Sequence, residues 1–373
     1  MASDRPPHAQ ALPFVQVLRA FAALLVVVHH VQNDAAILAA RATKTFAPSH
    51  ILPWNAGVDV FFVISGFIIV HAARPLFAAP GAPRRFLAHR TARVVPLYWL
   101  VTTIYLAVAL AAPGVLDSGG RPGGPGSGQV VASYLFWPWT RPDGAVMPLY
   151  SLGWTLNYEA FFYGLFALCL PLPRRAAVAA AVAALGGLSL AGALAGPLPL
   201  PLAFWAEPIV LEFALGALIG LARAEGLRLS PTVRAALATA GLALLAAAGE
   251  EGFRPLAWGG PAALLVASAA LCRGRETGGH PAGPWTRAAV AVGDASYALY
   301  LVHPFASRAA REVVWRTGID LAPAAFVALA LLAAVAAGLA VHRFVERPMT
   351  RRVRALLEPG ERPLRVTGGA PLG

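Results

Sequence analysis

Residues 14–33 read FVQVLRAFAALLVVVHHVQN, and this stretch decides the fold. A helix needs about 20 mostly apolar residues to cross the hydrocarbon core of a bilayer, and the stretch has that length. Arg19, His29 and His30 interrupt the apolar run, and further apolar stretches follow, so it differs from a cleaved secretory signal peptide. We interpret it as a retained first membrane helix.

The rest of the chain repeats this pattern. Of its 373 residues, 58% are hydrophobic and only 13% are charged, whereas soluble domains carry about 25% charged residues. The sequence predicts an all-α, polytopic membrane bundle of about ten transmembrane helices, with one membrane domain at 14–348 and tails at 1–13 and 349–373. The nine further candidate spans lie at 56–73, 92–112, 149–170, 176–195, 204–222, 233–249, 256–272, 288–306 and 321–345.

Basic residues set the predicted orientation. If the N-terminus is inside, most of the 30 Lys and Arg residues fall in inner segments, as the positive-inside rule requires. Both termini are therefore predicted to be cytoplasmic, in the inner (plasma) membrane of a bacterium, with membrane lipids around the bundle. The net charge of +12 is explained by this bias, and no basic groove interleaved with aromatics predicts a nucleic-acid partner. Segment 113–148, rich in Gly and Pro, is predicted to be an outer loop.

Ionisable residues inside membrane spans are costly and usually mark function. Arg19 and His30 are eleven positions apart, which places them on one helical face, separated by about 16 Å of depth. His29 lies about 80° off that face. Glu159 stands in the aromatic helix SLGWTLNYEAFFYGLF and must find a partner or stay protonated. These residues are candidates for chemistry.

Two further segments carry candidate binding residues. Arg90 and Arg93, three apart in FLAHRTARVVPLYWL, share a face that could bind a polyanion such as a CoA phosphate. Positive-inside anchoring explains the same arginines equally well. Ser65 lies in the middle of the second span beside Gly66, whose more ordinary role is helix packing. The cysteines and histidines have no metal-ligand spacing, so no metal site is predicted.

Together these segments resemble the acyltransferase-3 family of bacterial membrane O-acyltransferases, and most of all its exopolysaccharide acetyltransferase-like, stand-alone members. Arg19 and His30 match the family's pattern of Arg, ten residues and His. The similar segments follow in the family's order: GVDVFFVISGFII at 57–69, Arg90 to Arg93 with Pro96 and Tyr98, SLGWTLNYEAFFY at 151–163, DASYALYLVHP at 294–304 with His303, and HRFVERP at 342–348 with Glu346.

The resemblance implies transfer of an acyl group, such as acetyl, from acyl-CoA to a hydroxyl of a carbohydrate or lipid-linked glycan, as in an exopolysaccharide precursor. His30 would act as general base, for which imidazole is suited, and Glu159 would orient it or stabilise its charge. Arg19, Arg90 and Arg93 would bind the donor phosphates, with Ser65 and Tyr98 beside them. With the N-terminus inside, the pantetheine arm of acetyl-CoA would pass outward between helices toward His30.

Other functions remain open from the sequence. The same chemistry could act on a macrolide-like or lipid acceptor. A transporter of glycan precursors would also have many spans and charges in the membrane, although no inverted repeat or pair of broken helices is evident. A structural subunit would not need Arg19, His30 and Glu159 together. The acceptor, the acyl chain and the oligomeric state are not determined by the sequence.

Overall fold

The computed structural model describes residues 12–111, 126–249, 252–273 and 283–358. Within these ranges the chain is helical apart from turns and one isolated bridge between Thr140 and Val146, which confirms the all-α prediction. The helices are α1 (Pro13–Arg41), α2 (Gly57–Ala72), α3 (Ala82–Ala111), α4 (Ser127–Tyr134), α5 (Trp154–Cys169), α6 (Arg174–Leu194), α7 (Leu200–Trp205), α8 (Leu211–Ala224), α9 (Pro231–Ala247), α10 (Gly260–Ala270), α11 (Pro284–Asp294), α12 (Ser296–Thr317), α13 (Pro323–Val341) and α14 (Arg347–Leu357).

The apolar helices are those of a membrane protein. In the described ranges, five helical stretches are long and apolar enough to cross a bilayer. They are α1, α2 with its preceding turn, α3, α6, and α13, which continues through a π-helical segment (His342–Glu346) into α14. A helix lies at each of the ten predicted ranges, but the count of ten spans and the side on which the termini lie stay predictions.

In three places the structure adds to or corrects the predicted layout. The range 288–306 contains two helices, because the chain turns at Ala295 between α11 and α12, which places Ser296 beside Arg19. The predicted outer loop 113–148 contains the short helix α4, where Ser133 donates a hydrogen bond to the carbonyl of Gln129 at 2.6 Å. Residues 113–125 of that loop lie outside the described residues. The predicted C-terminal tail begins inside α14, which folds back onto the start of α3.

Helix α1 lies at the centre of the bundle. It packs against α2, α10, α11, α12 and α13, and its middle residues Ala22, Ala23 and Val27 are fully buried. Small side chains on its surface allow these neighbours to approach closely, as in other membrane bundles. Most of the polar side chains of α1, including Arg19, His30 and Asp34, therefore face other helices.

Two ion pairs, each with a buried carboxylate, connect separate segments of the bundle. Asp34 of α1 accepts hydrogen bonds from Arg311 and Ser307 of α12, both at 2.6 Å. Asp59 of α2 accepts two hydrogen bonds from the guanidinium of Arg254, at 2.8 and 2.9 Å. A buried carboxylate needs such partners because it has lost its water.

Helices α2 and α8 touch through glycines. A methyl group added at Gly66 would overlap the carbonyl oxygen of Phe213, and one added at Gly216 would overlap that of Val63. Gly220, one turn beyond Gly216, faces the side chain of Val70. The spacing of Gly216 and Gly220 is that of the small residues through which membrane helices meet backbone to backbone.

We expect Gly216→Ala to lower the thermal midpoint of the purified protein in detergent, because α2 and α8 must separate to admit the methyl group. Overpacking of this kind costs about 1–3 kcal/mol. Gly187→Ala in α6 is the matched control: nothing lies within 4 Å of its added methyl group, and alanine in a helix is favoured over glycine by about 1 kcal/mol. A Gly216→Ala variant as stable as Gly187→Ala would contradict this packing.

Candidate active site

A cavity of about 1130 Å³ lies between α1, α2, α3, α5, α12 and α14. We call it the main cavity; it is larger than the roughly 300–1,000 Å³ of most small-molecule sites. Its exposed end, the mouth, is lined by Arg74, Pro75 and Arg354. Its closed end is lined by the buried side chains of Thr155 and Tyr300.

The main cavity is strongly basic. Among the described residues that line it, five arginines accompany a single carboxylate, Glu159. Because the arginines come from three different helices and the turn after α2, the fold collects their charge around one space. Such a site favours an anionic ligand, and guanidinium groups match phosphate oxygens in geometry. The arginines are Arg19, Arg74, Arg90, Arg93 and Arg354.

Neighbouring side chains fix two of these arginines. Arg19 donates to Gln16 Oε1 at 3.0 Å and to Ser296 Oγ at 2.8 Å. The guanidinium of Arg90 lies over the rings of Phe86 and Tyr163, at 5.4 and 5.7 Å from their centroids. Cation–π contacts of this kind hold a guanidinium in place while leaving its N–H donors available.

Glu159 is tied to the wall of the main cavity. Ser65 Oγ donates to Glu159 Oε1 at 3.2 Å, and the Tyr163 hydroxyl donates to the same oxygen. Ser65 lies on α2 and Tyr163 one turn after Glu159 on α5, so the cluster joins two helices. This is the partner that a carboxylate in an apolar helix requires.

His30 lines a second, smaller space, which we call the His30 pocket. Its volume is about 170 Å³, and it is also lined by Asn33, Asp34, Arg308 and Arg311. His30 Nδ1 lies 2.9 Å from the carbonyl oxygen of Val26. Since a carbonyl only accepts, Nδ1 carries the hydrogen and Nε2 keeps the lone pair that a base needs.

A layer of rings separates the main cavity from the His30 pocket. The ring of His303 lies 4.9 Å from that of His30 and 6.3 Å from that of Tyr300. Tyr300 faces the main cavity and is held through its hydroxyl by Thr155 and by the carbonyl of Leu152, both at 3.0 Å. Along both α1 and α12, residues of the main cavity precede residues of the His30 pocket, so the two spaces lie in line.

The structure brings together five of the seven residues singled out in the sequence: Arg19, Ser65, Arg90, Arg93 and Glu159 line the main cavity. His30 is on the other side of the ring layer, where its nearest ring partner is His303, while Glu159 contacts Ser65 and Tyr163.

Tyr98 is placed apart from the other candidates. It is fully buried, its ring lies 4.9 Å from that of Phe136, and it occupies the space next to Gly153. It does not line either cavity. Its position beside Gly153 indicates a packing role between α3 and the start of α5.

Several side chains at the site were not singled out as site residues. His303 stands in DASYALYLVHP, and its membership of that segment was the available signal. Its Nδ1 lies 3.1 Å from the Leu299 carbonyl oxygen, and its buried Nε2 has no hydrogen-bond partner within the described ranges. Nothing in the sequence marked Arg354 or His89 as site residues, since their basic segments resemble ordinary membrane anchors. No group of three or more His, Cys, Asp or Glu suited to a metal occurs in the described part of the chain.

Comparisons with known proteins place the chain in a family. The Acyltransferase domain family model (acyltransferase-3) matches residues 12–343. The chain is 34% identical to the exopolysaccharide production protein ExoZ of Rhizobium meliloti (strain 1021), over 82% of this chain and 92% of that protein. It is 31% identical to the acyltransferase MdmB of Streptomyces mycarofaciens, over 93% of each. No solved structure is significantly similar to it.

The family match covers all the helices that form the main cavity except α14, together with the helices around the His30 pocket. It favours an acyltransferase over a transporter or a structural subunit, neither of which would be expected to share an acyltransferase domain over almost its whole length. The chain belongs to the acyltransferase-3 family and is a membrane O-acyltransferase.

Proposed function

We propose that the protein acetylates a hydroxyl of a carbohydrate or lipid-linked glycan that serves as an exopolysaccharide precursor, with acetyl-CoA or a related acyl-CoA as donor. It would do so as a bundle of about ten spans in the bacterial inner membrane, with both termini in the cytoplasm. The observation that carries the proposal is the pair of aligned spaces: a large basic cavity and a small pocket that contains an imidazole, separated by one layer of rings.

The main cavity suits the donor. CoA carries several phosphates at its nucleotide end and its thioester at the end of a long, thin pantetheine arm. Arg90 and Arg93 would bind the phosphates, Arg19 would neutralise charge further in, and the apolar stretch lined by Ile64 and Ile68 would accommodate the arm. Ser65 and Glu159 lie on that route. The thioester would then reach the closed end at Tyr300.

The His30 pocket suits the acceptor. A sugar hydroxyl placed there would meet Nε2 of His30, which accepts its proton as the oxygen attacks the thioester carbonyl. The new C–O bond forms, the C–S bond breaks, and His30 returns the proton to the departing CoA thiolate. For this reaction the ring of Tyr300 has to leave the line between the main cavity and the His30 pocket.

The carbohydrate acceptor is favoured over a macrolide-like or lipid one by the relative named for exopolysaccharide production, which is 34% identical over most of the chain. The acyltransferase MdmB is nearly as similar, at 31%. The acetylation assay therefore includes both glycan and non-glycan acceptors.

Sided proteoliposomes test the proposal. With labelled acetyl-CoA on one side and a glycan-lipid extract on the other, we expect label on the glycan, at a rate well above that of protein-free vesicles. The topology predicts that donor is used only from the side that exposes α14. Use of donor from the His30 side alone would contradict the proposed direction. Absence of transfer from both acetyl-CoA and succinyl-CoA, to glycans and to small host molecules alike, would overturn the proposed donor class.

A further inference from the structure

The mouth of the main cavity is built partly by α14. This helix packs on the first turns of α3, and Arg354 of α14 and His89 of α3 both line the cavity there. His89 and Arg93 are four residues apart on α3, so they lie on one face about 6 Å apart along its axis. Three basic side chains, those of Arg93, His89 and Arg354, therefore follow one another toward the mouth.

Arg354 and His89 converge on one anion, the carboxylate of Glu358. His89 Nε2 lies 2.6 Å from Glu358 Oε1, and Arg354 Nε donates to Glu358 Oε2 at 3.3 Å. Arg354 Nη2 lies 3.2 Å from His89 Nε2. A guanidinium nitrogen can only donate, so His89 Nε2 accepts in its contact with Arg354, and His89 pairs with Glu358 as an ion only when the imidazole is protonated. An anion beside this pair favours the protonated imidazole, and Glu358 holds that place in the structure.

The position of this pair relates it to the nucleotide end of the donor. If the thioester lies at Tyr300, the opposite end of the molecule lies at the mouth. In CoA that end carries the ribose 3′-phosphate, separate from the pyrophosphate that Arg90 and Arg93 would bind. A guanidinium and an imidazole at hydrogen-bond distance from one anion provide the charge and the donors that a phosphate monoester needs.

We propose that Arg354 and His89 form a phosphate subsite at the mouth of the main cavity, which takes the ribose 3′-phosphate of CoA, and that the carboxylate of Glu358 occupies this subsite until the phosphate displaces it. The inference rests on the proposed donor. It adds a recognition element from α14, which lies beyond the matched family domain, and it makes Glu358 an internal competitor of the donor.

Direct binding of CoA and dephospho-CoA, which lacks only the 3′-phosphate, tests the subsite. Isothermal titration of the full-length protein in nanodiscs is expected to give a Kd for CoA about tenfold lower than for dephospho-CoA, the size of one charge-assisted hydrogen bond. Arg354→Ala is expected to lose this preference while its Kd for dephospho-CoA is unchanged, which also reports that the variant is folded. Glu358→Gln is expected to bind CoA more tightly.

Arg352→Ala is the matched control, since Arg352 is an exposed arginine of the same helix that does not line the cavity. It removes the same charge and is expected to keep the preference for CoA. Equal Kd values for the two ligands in the wild type, or a preference that survives Arg354→Ala, would overturn the subsite. Because binding is measured without turnover, a protein that binds CoA in this way but transfers no acetyl group would refute the proposed function and leave the subsite standing.

Discussion

Replacing His30 with alanine is expected to reduce the rate of acetyl transfer by about a hundredfold to ten-thousandfold, the usual contribution of a positioned general base. The KM for acetyl-CoA should stay close to that of the wild type, because His30 lines its own pocket and not the main cavity. Single-turnover transfer of label from acetyl-CoA to a glycan-lipid extract measures both quantities.

His29→Ala is the control for this variant. His29 precedes His30 on α1 but does not line the pocket, and their ring centroids are 5.1 Å apart. The substitution removes the same side chain from the same helix, about 100° around its axis, and should leave the rate within a few-fold of the wild type. Loss of activity in His29→Ala together with retained activity in His30→Ala would show that His29, and not His30, is the general base.

Removing the carboxylate of Asp34 is expected to destabilise the protein by about 3–5 kcal/mol, the cost of leaving one partner of a buried pair without the other. Arg311 is only 5% exposed, so once Asp34 is gone its charge has little access to water and keeps only the more distant carboxylate of Glu312, at 3.5 Å. We expect Asp34→Ala to show a strongly lowered thermal midpoint in detergent. The double variant Asp34→Ala, Arg311→Met should recover much of the loss, since it also removes the buried guanidinium, while Glu312 keeps its partner Arg41.

The surface pair between the same two helices provides the comparison. Arg41 of α1 and Glu312 of α12 are 2.8 Å apart, with side chains 38% and 28% exposed. Exposed pairs contribute about 0–1 kcal/mol, so Arg41→Gln should barely change the midpoint. Similar midpoints for Asp34→Ala and Arg41→Gln would show that the buried pair does not hold α1 to α12.

The residues of the main cavity were predictable because the free-energy cost of placing a charged side chain in a membrane span is visible in the sequence. Arg19 and Glu159 interrupt apolar helices, and such a residue must face protein or a cavity and not lipid. Arg90 and Arg93 repeat at helical spacing at the end of a span. For these residues the position within one helix was enough, because each helix buries its polar side toward the same central space.

The surroundings of His30 could not be predicted in the same way. Helical spacing placed Arg19 and His30 on one face of α1, but it carries no information about which side chain of α12 packs opposite. Tyr300 and His303 lie between them and divide the face into two spaces. Likewise, Tyr98 beside Gly153 and the turn at Ala295 depend on contacts between helices far apart in sequence.

The ring layer has a consequence for the cell as well as for catalysis. In the proposed topology, a cavity entered from the cytoplasm and a pocket entered from outside would form a continuous water-filled pore if they were joined. Such a pore would let protons and ions run down the electrochemical gradient and would let water hydrolyse the thioester. In that topology the layer formed by the rings of Tyr300, His303 and His30 would act as electrical insulation, and an enzyme that works across a membrane would have to open this layer to the acyl group alone.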